Sequence, residues 1–147
     1  MTTDTASLIK SWRSQLRQNG YRLTAPRKAV LEIVAESQES LNPTEIYDLA
    51  RARYSRLGLV TVYRTLEKLE ELQLVQRVHR PDNCHAFIAH TEGHEHLLLC
   101  QDCGRVAYFS GDELGDLIED VQEQSGYRID NHWLQFFGLC DSCQHAV

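Results

Sequence analysis

The sequence predicts an α+β protein made of two modules, a winged helix-turn-helix and a smaller α/β module that binds metal. Four amphipathic helical segments precede two strand-like segments in the first 90 residues. Two Cys-x-x-Cys pairs, Cys100/Cys103 and Cys140/Cys143, enclose 36 residues further on. Residues 1–80 carry 13 Lys/Arg against 9 Asp/Glu, whereas residues 81–147 carry 2 against 12. We therefore expect domains at 1–83 and 84–147, the first suited to a polyanion and the second to a cation.

The four helices are predicted from apolar spacing and from their start and stop signals. Ala6–Asn19 has apolar residues at helical spacing, and Thr24 is a suitable cap for the second helix. The run from Asn42 to Glu45 has the pattern of a capping box, and the third helix extends to about Tyr54. The fourth helix is expected at Leu59–Leu72, with Val62, Leu66, Leu69 and Leu72 inward.

A hairpin is predicted after the helices. Leu74–His79 and Cys84–His90 alternate like strands, and the four-residue turn Arg80–Asn83 would place His79 opposite Cys84. Short helices followed by a hairpin are typical of a winged helix-turn-helix, in which the last helix enters the major groove of DNA.

Side chains suited to DNA cluster near the start of the fourth helix, namely Thr61, Tyr63, Arg64, Thr65 and Lys68. Tyrosine can contact a thymine methyl group, and arginine can bind guanine or a phosphate. Arg22, Arg27 and Lys28 would add phosphate contacts. A solvated basic face is the simpler alternative, but the helix order and the charge division both favour DNA binding.

The two Cys-x-x-Cys pairs predict a structural zinc site. Two intervening residues let both thiolates reach one ion, and four thiolates complete a tetrahedron that leaves no position for a water ligand. Disulfides are disfavoured in a reducing cytosol. Such sites typically contribute about 10–16 kcal/mol of apparent folding free energy. Between the pairs we expect a strand at Val106–Phe109, a helix at Gly111–Gln124, and a strand at His132–Leu139. Ser110 would cap this helix with Glu113 three residues on, and its buried side would be formed by Leu114, Leu117, Ile118 and Val121.

A second group of potential metal ligands precedes Cys100. Its members are His79, Cys84, His85, His90, His94, Glu95, His96 and, further on, His132. Because side chains alternate along a strand, His94 and His96 would point to one face. A mixed nitrogen and sulfur ligand set favours zinc, whereas nitrogen and oxygen alone would leave iron or manganese open.

Several stretches resemble the ferric uptake regulator (Fur) superfamily over essentially the whole chain. They are Tyr21–Arg27, Leu59–Leu66, the His-x-His run before Cys100-x-x-Cys103-Gly104, and Cys140-x-x-Cys143. The resemblance implies a C-terminal dimerisation domain, structural zinc on the four cysteines, and a metal-loaded homodimer that binds palindromic double-stranded operator DNA. In such proteins the residues matching Arg27, Tyr63 and Arg64 contact DNA, and the residue matching Arg22 lies near the minor groove.

The resemblance also bears on the sensed metal. Iron-sensing members usually carry a histidine before the third helix, where this chain has Glu39–Asn42, and peroxide-sensing members use carboxylates where this chain offers Cys84. Both departures favour the zinc uptake regulator (Zur) branch, with about two Zn²⁺ per chain. Iron or peroxide sensing is the alternative.

Two ligand sets remain open for the sensory zinc. We favour His79, Cys84, His94 and His96; in the rival set His90 replaces Cys84 or His79. His96 lies four residues before Cys100, where relatives commonly show three, which predicts a bulge or register shift. A third site using His132 is left open, because Gly115 stands where relatives have an acid.

Together these observations predict a zinc-responsive repressor of zinc uptake genes. Zinc at the hinge would fix the spacing of the two recognition helices. His90-Thr91-Glu92 before Cys100 superficially matches a zinc deaminase, but too few residues separate Glu92 from Cys100. We therefore expect no enzyme activity and no small organic cofactor. The polar N-terminus and the lack of any run of about 20 apolar residues predict a cytoplasmic protein without a membrane partner.

Overall fold

The computed structural model describes residues 4–82, 84–90, 95–111, 114–130 and 132–145. By internal contacts the chain divides into two units, Met1–His90 (unit 1) and Thr91–Val147 (unit 2). This division falls after the second strand of the hairpin rather than at the predicted residue 83, because that strand pairs with the first strand within unit 1. The α+β fold class is confirmed. No described helix is long and apolar enough to span a membrane.

Unit 1 begins with four helices. They are α1 (Thr5–Gln18), α2 (Ala25–Glu36), α3 (Pro43–Arg51) and α4 (Leu59–Glu71). The capping box predicted at the start of α3 is present, with Asn42 and Glu45 each bonding the other's backbone N–H. Thr24 is the N-cap of α2 as predicted, although its hydroxyl makes no capping hydrogen bond within the described part of the chain.

The apolar faces of these helices form one core. Its fully buried members include Leu16, Leu31, Ile46, Leu66 and Leu69. Burying each such side chain contributes about 1.5–3 kcal/mol. The core therefore fixes α4 against α2 and α3 and leaves the other side of α4 in solvent.

A hairpin completes unit 1. Its strands are β1 (Val75–His79) and β2 (His85–Ala89), paired antiparallel. Leu41, just before α3, exchanges two backbone hydrogen bonds with Phe87, so a single bridge ties this segment to the two-stranded hairpin. The winged helix-turn-helix order predicted from the sequence is thus the order observed.

Unit 2 contains β3 (Glu95–Cys100), β4 (Val106–Ser110), α5 (Gly115–Ser125), β5 (Gln135–Gly138) and the short α6 (Asp141–Gln144). The sheet order is β4-β3-β5, antiparallel between β3 and β4 and parallel between β3 and β5.

The predicted start of α5 at Gly111 is wrong. Ser110 cannot cap a helix there, because it ends β4 and pairs with Glu95. The helix starts at Gly115 with no side-chain cap among the described residues; Glu113, the predicted capping partner, lies outside them. The prediction that Leu117 and Val121 are buried also fails within a single chain, where they are 58% and 43% exposed.

Candidate metal centre and DNA-contact surface

The four cysteines of unit 2 converge on one point. Cys100 ends β3, Cys103 lies in the turn after it, Cys140 is the N-cap of α6, and Cys143 lies in α6. Their four sulfur atoms all lie within 4.8 Å of one another. Gly104 supports this turn: its φ of 76° is in the left-handed region, and its N–H donates to the Cys100 carbonyl over 3.0 Å.

The spacing of these sulfurs fits a zinc ion. Zinc–sulfur bonds of about 2.3 Å at tetrahedral angles place neighbouring sulfurs roughly 3.8 Å apart. The Cys103 and Cys140 Sγ atoms are 3.8 Å apart. The residues present therefore match a closed four-thiolate site, which would hold zinc as a structural ion.

Hydrogen bonds prepare one sulfur for metal binding. Backbone N–H groups of Cys103 and Cys140 lower the pKa of the Cys100 thiol to about 6. The bond from Cys140 spans 3.3 Å. By contrast, a hydrogen bond with Cys140, together with burial, raises the pKa of Cys143. Crowded thiols resist joint ionisation because their charges repel, and a bound dication removes that penalty.

The hairpin brings together one pair of histidines that the sequence analysis did not join. His79 pairs with His85 across the strands, and their ring centroids are 4.8 Å apart. The predicted pairing of His79 with Cys84 is wrong, since the Arg80 N–H donates to the Cys84 carbonyl. Asp82 sets this turn by accepting the Cys84 N–H over 3.0 Å. His90 lies at the opposite end of the hairpin, where its N–H donates to the Leu74 carbonyl.

The remaining predicted sensory ligands belong to unit 2. His94 lies outside the described residues. His96 is buried, with its ring 5.4 Å from both Phe109 and His132. Within the described ranges, the four cysteines are the only group of three or more potential metal ligands whose ligand atoms lie close enough together to hold one ion.

The exposed side of α4 carries the predicted DNA contacts. Tyr63 and Arg64 point to solvent, and Thr61 is half-buried. Thr65 is an exception: it is fully buried, and its hydroxyl donates to the Thr61 carbonyl over 2.7 Å, as expected for threonine inside a helix. Lys68 makes a 3.4 Å ion pair with Glu71.

The turn between α1 and α2 positions two further arginines. The Arg27 guanidinium lies 4.4 Å from the centre of the Tyr21 ring and donates to the Arg22 carbonyl over 2.6 Å. Arg22 itself is exposed. Lys28 lies 3.7 Å from Glu32. The Arg27 side chain is thus oriented before any partner binds, whereas the Arg22 side chain extends into solvent.

One partly buried network was not predicted. Arg80 binds both carboxylate oxygens of Glu45 over 2.9 and 3.0 Å and also donates to the Ser40 carbonyl. The same carboxylate accepts the Asn42 N–H over 2.9 Å. The Arg80 hydrogen bond lowers the pKa of Glu45. The capping box predicted the role of Glu45 at the start of α3. Its second partner, Arg80, lies 35 positions further along the chain, and local sequence patterns do not indicate so distant a contact.

Comparison with known proteins places these features in a family context. The ferric uptake regulator family model matches residues 18–137. The ferric uptake regulation protein of Bacillus subtilis (strain 168) is 33% identical over 135 residues, 89% of this chain and 91% of that protein. The peroxide-responsive repressor PerR of Staphylococcus saprophyticus is 26% identical over 131 residues, 89% and 88% of the two chains. A zinc uptake regulator complexed with zinc and DNA superposes with a TM-score of 0.78 at 22% identity, covering 97% of each chain.

Proposed function

This chain belongs to the ferric uptake regulator family of metal-responsive transcriptional regulators, and on that premise we propose that it is a zinc-responsive repressor. It binds palindromic operator DNA of zinc uptake genes as a metal-loaded homodimer. It acts in the cytoplasm, where its DNA target lies. It is a regulator and not an enzyme.

The chemistry at the end of the hairpin carries the choice of zinc. The rings of His79 and His85 lie 4.8 Å apart between centroids, and Cys84, whose thiol is exposed, directly precedes His85 in the chain. The nearby carboxylate of Asp82 accepts the Cys84 N–H. Nitrogen and thiolate donors prefer zinc over manganese and suit a metal that undergoes no redox change.

The proposed ligands follow from the sequence analysis. The structural zinc is held by Cys100, Cys103, Cys140 and Cys143, whose sulfurs already converge. For the sensory zinc we propose His79, Cys84, His94 and His96, with His90 as the rival ligand. That gives about two zinc ions per chain. Metal counting on Cys84→Ser and His90→Ala separates the two sets, because only the variant that removes a ligand loses one equivalent.

The proposed DNA-binding residues are Arg22, Arg27, Thr61, Tyr63 and Arg64. Their support is that Tyr63 and Arg64 are exposed on α4, while Arg27 is held against Tyr21. Metal can tighten DNA binding only by as much as it prefers the DNA-competent conformation, typically roughly 5–150-fold.

Titration of operator affinity against buffered free zinc tests the proposal. Protein that keeps its cysteine-bound zinc but lacks the sensory zinc should bind DNA more weakly than fully loaded protein. Equal affinity in both states contradicts it.

Iron or peroxide sensing is the alternative, suggested by the names of the similar proteins from Bacillus subtilis and Staphylococcus saprophyticus. Parallel titrations with Fe²⁺ and Mn²⁺ discriminate the two. Tighter DNA binding with Fe²⁺, or its loss after peroxide treatment, favours the alternative.

A further inference from the structure

The cations of unit 1 divide into two groups. Five of its 13 Lys/Arg residues pair with carboxylates, namely Lys28, Arg53, Lys68, Arg77 and Arg80. The other eight form no ion pair with a described acidic residue, and they are Lys10, Arg13, Arg17, Arg22, Arg27, Arg51, Arg56 and Arg64. Charges that the fold does not neutralise are the ones that a polyanion can use.

These cations are concentrated in one stretch of chain. Residues 5–31 contain six Lys/Arg and no Asp or Glu, whereas residues 32–90 contain seven Lys/Arg against nine Asp/Glu. The positive excess of unit 1 therefore lies entirely in α1, the following turn and the first half of α2.

The helix expected to meet the bases is not basic. Helix α4 carries Arg64 and Lys68 against Glu67, Glu70 and Glu71. Lys68 pairs with Glu71, and Arg77 of the hairpin pairs with Glu70, so the helix has no positive excess with which to attract the phosphate backbone. The attraction must come from elsewhere on unit 1.

Helix α1 supplies a suitable surface. Lys10, Arg13 and Arg17 follow at spacings of three and four residues, on the side away from the buried Trp12 and Leu16. Lys10 and Arg17 are exposed, and Arg13 is half-buried. The helical rise places Lys10 about 10 Å from Arg17 along the axis. Beyond Arg17, the turn continues directly to Arg22.

We propose that Lys10, Arg13 and Arg17, the α1 basic stripe, bind the phosphate backbone of double-stranded DNA and supply most of the electrostatic affinity. Helix α4 then reads base edges with little charge attraction of its own. This inference rests on the proposed function, because it concerns the same DNA complex. The stripe lies outside the residues for which the sequence predicts DNA contacts.

The salt dependence of DNA binding measures the stripe directly. Each neutralised phosphate contributes about 0.9 to the slope of log K against log salt concentration. The test compares wild type with Lys10→Gln/Arg17→Gln on a random-sequence duplex and on operator DNA. Glutamine keeps the helix, since its helix propensity is close to that of lysine and arginine.

The matched control is Arg51→Gln/Arg128→Gln, which removes the same charge. Arg51 lies in α3 and stacks on Tyr47, and Arg128 pairs with Asp130 in unit 2. We expect the stripe variant to lower the slope by about 2 on both duplexes, without changing the preference for operator over random DNA. The control should leave the slope unchanged.

The possible outcomes separate this inference from the proposed function. A wild-type slope in the stripe variant, or an equal fall in the control, overturns the assignment of the stripe. Zinc-independent DNA binding by the wild type with the expected slope change would instead overturn zinc regulation and leave the stripe in place.

Discussion

Arg64 and Arg51 illustrate how the location of an exposed arginine, rather than its exposure, decides whether it is proposed to contact DNA. Both are exposed arginines of unit 1 without a carboxylate partner among the described acids, but Arg64 projects from α4 whereas Arg51 stacks on the Tyr47 ring. The proposed function places α4 in the major groove, where the Arg64 guanidinium could bind a base edge.

The Arg64→Ala variant tests this difference. We expect operator affinity to fall by about 1–3 kcal/mol with relaxed preference at one base position, because a base contact is lost. Fluorescence anisotropy on operator and single-base variants measures both effects. Arg51→Ala is the control, and an equal loss in that variant contradicts a specific role for Arg64.

Two cysteines, Cys143 in the four-sulfur cluster and Cys84 on the hairpin, are likewise expected to differ in their effect on the structural zinc. Cys143→Ser should lose the structural zinc and the cooperative unfolding transition of unit 2, because three thiolates leave the tetrahedron open. Zinc content and thermal unfolding check this expectation. Cys84→Ser is the matched control, since Cys84 is exposed on the hairpin of unit 1, and it should retain the structural ion. A Cys143→Ser protein with full zinc content argues against the four-cysteine site.

Individual residues were predicted well where their chemistry is local. The four cysteines converge as their spacing indicated. The partner of His79 was mispredicted because the register of a hairpin depends on its turn, and the turn is set by the bond from Cys84 N–H to Asp82. Thr65 was placed on the DNA face because its neighbours belong there, although its hydroxyl bonds within its own helix.

Among the elements, the hairpin and α3 are joined more tightly than their sequences indicate. Arg80, directly after β1, binds the Glu45 carboxylate that also caps α3. The Arg80 hydrogen bond is the main cause of the lowered pKa of Glu45, so the stability of this junction depends on pH.

The Glu45→Gln variant tests the junction. Because folding lowers the Glu45 pKa below its ordinary value of 4.5, its stabilisation is present above that value and is lost as pH falls through the folded-state pKa. At neutral pH we expect the variant to be less stable by about 1–2 kcal/mol. Denaturant unfolding at neutral and acid pH should show the difference shrink in acid. A difference independent of pH contradicts a charged Glu45 as its source.

The edges of elements were the least predictable feature. The strong capping box fixed the start of α3, since two side chains bond the backbone there. At α5 the apparent capping pair failed because Ser110 is already committed to β4. Local capping signals compete with sheet pairing, and the sequence does not reveal which prevails.

At the scale of the whole molecule, more of the exposed large apolar residues among the described ranges belong to unit 2 than to unit 1. Leu117, Val121, Phe136, Phe137 and Leu139 are all exposed. The apolar spacing of α5 therefore indicates that one side of the helix is buried. It does not indicate whether that side packs against the same chain or against another one. A second copy of the chain would account for this surface, in agreement with the proposed homodimer.

The Leu117→Asp variant tests the homodimer. The side chain is exposed within one chain, so the fold should survive while a charge in an apolar interface weakens association. Analytical ultracentrifugation should show a shift toward monomer. Gln124→Glu, on an exposed position of the same helix, should stay dimeric. Identical sedimentation of Leu117→Asp and wild type, with zinc content intact, places the interface elsewhere.

The separation of the four sulfurs along the chain orders events during synthesis. The core of unit 1 is complete within the first 90 residues, whereas the thiolate tetrahedron needs Cys143, which the ribosome delivers much later. A nascent molecule therefore presents a finished basic winged helix before its metal anchor can close. Chains made without zinc would therefore carry a folded unit 1 beside an open cysteine site, and the loss of the structural ion would show first in the stability of unit 2.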